Sequence, residues 1–349
     1  MALNILVTAW NRPANLSKIL QLLDSFQPKL KIFIAVDGES GIDPYLDSKV
    51  FLTKKIAIEY KFINPETQIS INPKNLGCKG GMQKALSWFF SQVDRGIILE
   101  DDIKIKKHTL EYFEYCLEKF ENDKKIYMIN GYNPINEKYL PDKPYLSKFP
   151  HIWGWATWAD RWTNYQGNFS PTLVNSLDLS NLETLKLHPF KIKQFDNYFL
   201  KQFRDTHDGL IDTWDYQWVW TIWKNGGYAL SAPVNLVENI GFGFDATHTK
   251  SGESSPISLE GEKVVKNFIL SGKILNLENM DCVEEIQKYK EFGMDNVEIR
   301  TDLRLNNDVI NPKNKVTKLT KLYRLIIPNK IRGMIKPVVE ILRTKNFIK

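Results

Sequence analysis

Glu100, Asp101 and Asp102 stand together in this chain, directly after the uncharged run GIIL at 96–99. Adjacent carboxylates repel one another, and holding them together is costly without a cation. The apolar run reads as a buried strand, so the acids fall where that strand leaves its sheet. Ligands of open α/β sheets bind at the carboxyl ends of strands. A divalent cation bridging the acids to a phosphate would justify the triplet. A solvated strand end is the plain alternative, and the triplet alone does not separate the two.

Other segments carry weaker signals of the same kind. AWNRPANL at 9–16 places Arg12 beside Pro13, at the start of a helix. A guanidinium there can meet a base or a phosphate, although alone it reads as a surface arginine. VDGES at 36–40 ends a strand at Asp37, which can accept hydrogen bonds from a base or a ribose, or can simply open an Asp-Gly turn. NLGCKGGMQKAL at 75–86 sets glycines, Gly80 among them, ahead of a helix. Backbone N–H groups and the helix dipole can approach a nucleotide there. The segment lacks the Gly-Lys-Ser/Thr ending of a Walker loop, and a plain helix-starting loop fits equally well.

HIWGWATW at 151–158 places Trp153 and Trp155 on either side of Gly154, as walls of a sugar pocket or as an aromatic core turn. TWDYQW at 213–218 puts Asp215 at a helix start between Trp214 and Trp218. That suits a general base on an aromatic-lined cleft, or an acid held by the helix dipole. Asp212, Glu238 and Asp245 compete for the same role. His248, in FDATHTKSG, lies on a loop that can close over a metal-diphosphate, though a lone histidine is usually not a ligand.

The elements that must position these residues alternate. Strands are expected at 5–9, 32–36, 57–63, 96–103 and 126–130. Helices are expected at 15–26, 44–54, 82–93 and 109–120, with a loop at 77–81. This alternation predicts a mainly parallel sheet with helices on both faces. Farther on, 182–204 and 211–223 read as helices, 228–231 as a short strand and 239–256 as a loop.

Composition narrows the function classes. The chain of 349 residues carries a net charge of +6, but the segment from Lys313 onward carries +10 and the remainder −4. A nucleic-acid binder would carry a more pervasive basic surface, so nucleic acid is not an expected partner. The basic tail interleaves Leu319, Leu322, Ile326, Ile331 and Ile335, which suits an anionic membrane surface. Cys78, Cys116 and Cys282 have neither metal-ligand spacing nor an evident pairing, as in a reducing compartment. No apolar run is long enough to cross a bilayer, and MALNILVTAW enters a strand without a basic leader. The expected location is cytoplasmic, peripheral on the inner face of the cell membrane.

Taken in order, Asn11-Arg12, Asp37, the triplet, Gly154-Trp155 and Trp214-Asp215 resemble the GT-A glycosyltransferases. The likeness is to the inverting N-acetylglucosaminyltransferase I type and to bacterial surface-polysaccharide sugar transferases. It runs from Asn4 to His248, and LEDDIKIKKHTLEYFEY is its most specific stretch. The resemblance implies an α/β GT-A fold with a nucleotide-sugar-binding half at 1–130, an acceptor-binding and catalytic half at 131–310, and a basic amphipathic tail at 311–349. It implies that Arg12 and Asp37 hold a uridine. Asp102 would ligate Mn2+ or Mg2+ with His248, and Glu100, Asp101, Gly80 and Trp155 would lie near the donor. Asp215 would be the base.

The implied reaction is inverting transfer from a UDP-sugar such as UDP-GlcNAc to a glycan or lipid-linked acceptor in surface polysaccharide or glycoconjugate synthesis. The 78–81 segment departs from the family's nucleotide loop. Two rivals differ in what they require. A sugar nucleotidyltransferase would show a glycine-rich basic loop after the first strand, where this chain reads TAWNRPANL. A non-catalytic carbohydrate-binding protein needs no acidic triplet.

Overall fold

The computed structural model describes residues 2–26, 30–135, 140–169, 194–241 and 256–274. The chain divides into Met1–Ile299 and Arg300–Lys349, and the described residues all belong to the first unit. The basic tail at 311–349 therefore lies outside them.

In chain order the elements are β1 (Leu3–Ala9), α1 (Pro13–Asp24), β2 (Leu30–Val36), α2 (Pro44–Ile63), β3 (Gln68–Ile71), α3 (Gly77–Phe90), β4 (Arg95–Glu100), β5 (Ile103–Ile105), α4 (Lys107–Lys119), β6 (Ile126–Asn130), β7 (Tyr145–Ser147), β8 (Trp155–Trp158), α5 (Ala159–Trp162), α6 (Gln194–His207), α7 (Asp215–Lys224), β9 (Tyr228–Ser231), β10 (Val237–Asn239) and α8 (Gly261–Ser271). One large sheet has the order β3-β2-β1-β4-β8-β6-β9-β7, and β5 pairs with β10 in a separate ribbon. The strands β3, β2, β1 and β4 are parallel. β8 runs antiparallel to both β4 and β6, and β7 runs antiparallel to β9. β6 and β9 are parallel to each other. The sheet is therefore mainly parallel, as expected, with β8 and β7 the two strands that run against the rest.

The apolar strands are covered on both faces, as near-continuous hydrophobic runs require. Side chains alternate across a strand. Ile5, Val7, Ile34, Ile97 and Leu99 pack with Leu16 and Leu20 of α1 and with Phe113 and Leu117 of α4. Leu6, Phe33 and Ile98 point the other way, into Leu86 and Phe89 of α3 and Trp218 and Trp223 of α7. Pro13 opens α1 at a position where its missing N–H costs nothing.

Two expected elements differ. The strand at 57–63 is the last third of α2, and the third strand is Gln68–Ile71. AIEYKFI alternates like a strand, but the buried positions are Val50, Thr53 and Ala57, which follow the helical period. Asp43 caps the helix by accepting from the Tyr45 and Leu46 amides, and the propagating helix leaves Phe62 87% exposed. The loop at 77–81 is already the first turn of α3.

Gly154 has φ +60°, and a Cβ there would meet Val237 Cγ1 at 2.9 Å and Ile103 Cγ2 at 3.2 Å. The glycine between the two tryptophans is thus set by its approach to the β5–β10 ribbon. Gly154→Ala is expected to destabilise the fold by about 1–3 kcal/mol, read as a lower denaturation midpoint with an unchanged slope. No helix among the described residues is long and apolar enough to cross a membrane.

Candidate functional site

The strand order turns at β1, with β2 and β3 on one side and β4 on the other. Crevices outside the carboxyl ends of strands at such a switch point are where open α/β sheets bind ligands. Here Val7 pairs with Leu99 and Thr8 with Glu100, so the two strand ends lie side by side. The Asp101 amide donates to the Thr8 carbonyl at 3.0 Å and carries the alignment one residue farther. Arg12 leaves one strand and the acidic triplet leaves the other.

The Arg12 guanidinium pairs with Asp102 Oδ2 and lies 3.3 Å from Asp101 Oδ1. Asp101 and Asp102 are each only 6% exposed. Burial and the charges of Asp102 and Asp101 push the Glu100 carboxyl up to about 8, while Arg12 opposes the shift. Burial and Asp102 likewise push Asp101 up to about 7 against the pull of Arg12. Burial works against the Arg12 charge, and Asp101 and Asp102 more than offset it. One guanidinium thus faces three acids, two of which are held toward the protonated form in the absence of a further positive charge.

Asp102 Oδ1 is buried without a hydrogen-bond partner. Such an atom in a folded protein calls for an explanation. An unpartnered carboxylate oxygen is a hard donor of the kind that Mg2+ and Mn2+ take. Among the described residues no three His, Cys, Asp or Glu side chains converge as a preformed metal site. The donor set still fits a cation of the Mg2+ class, which is commonly held by one or two carboxylates together with substrate phosphates and water. The ribbon fixes Asp102 from behind: the Ile240 amide donates to its carbonyl at 2.9 Å, and a Cβ at Gly241 would meet Asp102 Oδ2 at 2.0 Å. Nothing in the local sequence singled out Gly241.

Protein carboxylates occupy the start of α3. Asp37 accepts from the Leu76 amide at 3.1 Å and from Asn72 Nδ2 at 2.9 Å. Asp212 accepts from the Cys78 amide at 2.9 Å and the Lys79 amide at 3.3 Å. Asn75 Oδ1 takes the Gly77 amide at 3.0 Å. The first N–H groups of a helix have no partner within it, and acids there are favourable. The amides of Leu76, Gly77, Cys78 and Lys79 thus bind Asp37, Asn75 and Asp212. Gly80 sits inside the first turn, where a Cβ would crowd Leu76 Cβ at 3.2 Å.

Asp215 opens α7 and is half-buried. Its Oδ1 accepts from Thr213 Oγ1 and from the Tyr216 amide, the latter at 2.8 Å. Its negative charge contributes to the raised Glu100 carboxyl, which brings Asp215 within electrostatic reach of the triplet. The thiol of Cys78 is pushed far up, first by burial and then by Glu100, Asp215, Asp212 and Asp37. Cys78 thus feels the charge of acids drawn from both halves of the chain.

Trp155 is 1% exposed and stacks on Trp214 at 5.5 Å. With Trp214 and Trp218 also buried, Trp155 belongs to the aromatic core behind Asp215, whereas Trp153 is partly buried on the other side of the sheet, against Tyr132 at 4.6 Å. Tyr165, Tyr198 and Tyr216 are the partly buried aromatics near it. The Tyr165 hydroxyl donates to the Trp214 carbonyl at 3.2 Å, and the Tyr198 and Tyr216 hydroxyls meet at 3.1 Å. Glu238 pairs with Lys104 at 3.1 Å on the ribbon. His248 and Asp245 lie outside the described residues.

No protein-family model and no curated protein matches the chain. Among solved structures it is similar to the mannosyltransferase PcManGT from Pyrobaculum calidifontis in complex with GDP-Man and Mn2+, with a TM-score of 0.32 and 10% identity over 44% of each chain. It is similar to the glycosyltransferase GlyE from Streptococcus pneumoniae TIGR4, with a TM-score of 0.34 and 9% identity over 87% of this chain and 66% of that one. It is also similar to a Bacillus anthracis protein described as a glucose-1-phosphate thymidylyltransferase, with a TM-score of 0.26 and 10% identity over 51% of this chain and 76% of that one. Likenesses of this size carry no argument, and the functional reading rests on the site itself.

Proposed function

We propose that this protein is a metal-dependent, inverting glycosyltransferase of the GT-A type, moving a sugar from a nucleotide diphosphate donor to a hydroxyl acceptor. The observation that carries the reading is the acidic triplet at the switch point, with one buried Asp102 oxygen unpartnered and a further carboxylate, Asp215, within reach. Asp102 holds the cation in this reading, with His248 as a second ligand. The bound cation supplies Lewis-acid stabilisation of the leaving diphosphate. Arg12 holds Asp101 and Asp102 in place, and presents positive charge where the diphosphate arrives. Asp37 stands at the end of β2, toward the nucleoside. Asp215 takes the proton from the acceptor hydroxyl as it attacks the donor sugar from the opposite face. A UDP-sugar is the proposed donor, and a glycan or lipid-linked saccharide the proposed acceptor.

The test is a thermal-shift screen of nucleotide sugars with and without Mn2+. A donor at about 100 times its dissociation constant stabilises by roughly 2.7 kcal/mol, and the reading requires that this depend on the metal. Stabilisation by a sugar alone, with no nucleotide and no metal, would instead mark a carbohydrate-binding protein.

Arg12→Ala is expected to weaken binding of both the nucleoside diphosphate and the nucleotide sugar roughly tenfold or more, as read by calorimetry. It leaves Asp101 and Asp102 uncompensated and removes positive charge from the diphosphate. An effect confined to the acceptor Michaelis constant would contradict the assignment.

The basic tail at 311–349 is proposed to dock on anionic membrane, which would place the protein peripherally where lipid-linked acceptors are found. Each lysine or arginine near an anionic surface adds about 1 kcal/mol. The full chain is expected to sediment with phosphatidylserine vesicles and to be released by salt. Equal sedimentation with neutral vesicles would remove the electrostatic basis.

A further inference from the structure

Asp212 and Asp215 are three residues apart, yet their carboxylates do different things. The Asp212 oxygens take the Cys78 amide at 2.9 Å and the Lys79 amide at 3.3 Å, across 134 and 133 residues of sequence. Gly77 is shaped to admit this carboxylate: its φ is +75°, and a Cβ there would meet Asp212 Oδ2 at 2.5 Å. Neighbouring contacts run between the same two parts of the chain. Lys79 Nζ donates to Asn168 Oδ1 at 2.8 Å, and Gln83 Nε2 donates to the Tyr165 hydroxyl at 3.1 Å. The Tyr165 hydroxyl in turn holds the Trp214 carbonyl. From Asp212 the chain passes through Thr213, whose hydroxyl donates to Asp215 Oδ1, directly into α7.

We propose that Asp212 is a positioning residue: its carboxylate clamps the loop that carries Asp215 onto the first turn of α3. The start of α3 is held from the other side by Asp37, at the end of β2. The clamp therefore references the carboxylate of the second half to the strand ends of the first. This rests on the assignment of Asp215 as the base. It gives Asp212 a task other than that of a base. Asparagine can perform part of it, since its one oxygen can accept the shorter bond, from the Cys78 amide, while its –NH2 cannot accept from Lys79.

Three variants of the full chain test it: Asp212→Ala, Asp212→Asn and Gly77→Ala. The measurements are hydrogen exchange of peptides covering 76–83 and 209–216, and donor KM and kcat with Asp215→Asn alongside. Asp212→Ala is expected to raise exchange in both peptides and to lower kcat about 10- to 100-fold, with donor KM nearly unchanged, because misplacement by about 1 Å costs on that order. Gly77→Ala should reproduce this by pushing the carboxylate away. Asp212→Asn, which keeps one of the two acceptors, should lie nearer to wild type than Asp212→Ala in both exchange and turnover. Collapse of Asp212→Asn to the level of Asp215→Asn, with exchange unchanged, would make Asp212 the base and overturn the proposal. Wild-type exchange in Asp212→Ala would show that there is no clamp. If wild-type protein turned over no nucleotide sugar, the glycosyltransferase reading would fall, while exchange would still decide the clamp.

Discussion

Asp215→Asn is expected to bind donor as the wild type does and to lose about 100- to 10,000-fold in turnover. Asparagine fits the site. Its carbonyl oxygen can accept from Thr213 Oγ1 and the Tyr216 amide, the two donors at Asp215 Oδ1. Trp214 and Trp218 behind it are core residues and do not sense the change. An amide oxygen cannot take the acceptor's proton. The loss corresponds to roughly 2.7–5.4 kcal/mol of barrier. It should appear in kcat at saturating donor and acceptor, with the donor dissociation constant unmoved. Retention of more than about a tenth of wild-type turnover would show that another group is the base.

Asp102→Ala is expected to abolish metal-dependent donor binding in a protein that still folds. Arg12 keeps Asp101 as a partner at 3.3 Å, so the substitution does not strand its charge. The Ile240 amide contact is to the Asp102 backbone carbonyl and survives. What disappears is the side chain with the buried, unpartnered Oδ1. Replacing an outer partner of a metal site costs about 10- to 100-fold in affinity, and loss of a direct ligand should exceed that. Mn2+ titration followed by electron paramagnetic resonance, with and without nucleoside diphosphate, reads it directly. Unchanged Mn2+ affinity in the variant would remove Asp102 from the metal.

The parts of this molecule written in local patterns were legible in its sequence. The strand at Ile126–Asn130 and the apolar run before the triplet are continuous hydrophobic segments bounded by polar residues. Such runs need no tertiary information to be read as buried strands. Residues 57–63 misled because an alternating heptapeptide was absorbed into a helix already started by Pro44 and capped by Asp43. The glycines at 77–81 misled for a different reason. The amides of Leu76, Gly77, Cys78 and Lys79 are taken by Asp37, Asn75 and Asp212, and Asp212 lies more than 130 residues away; local sequence cannot show such a partner. Trp155 looks the same in sequence whether it lines a cleft or fills a core, and the stacking of Trp214 decides for the core. The antiparallel entry of β8 between β4 and β6 was likewise hidden, since strand direction is set by the path of the chain and not by the residues of WATW.

The central claim is that the acids at the switch point serve a cation that activates a nucleotide sugar. Release of free nucleoside diphosphate from a panel of nucleotide sugars, with and without Mn2+, tests it most directly in wild type and Asp102→Ala side by side. The account predicts release by the wild type that requires the metal, on at least one donor, and none by the variant. Metal-independent release, or equal release by the variant, would contradict it, as would pyrophosphate released from a nucleoside triphosphate and a sugar phosphate in place of diphosphate from the donor.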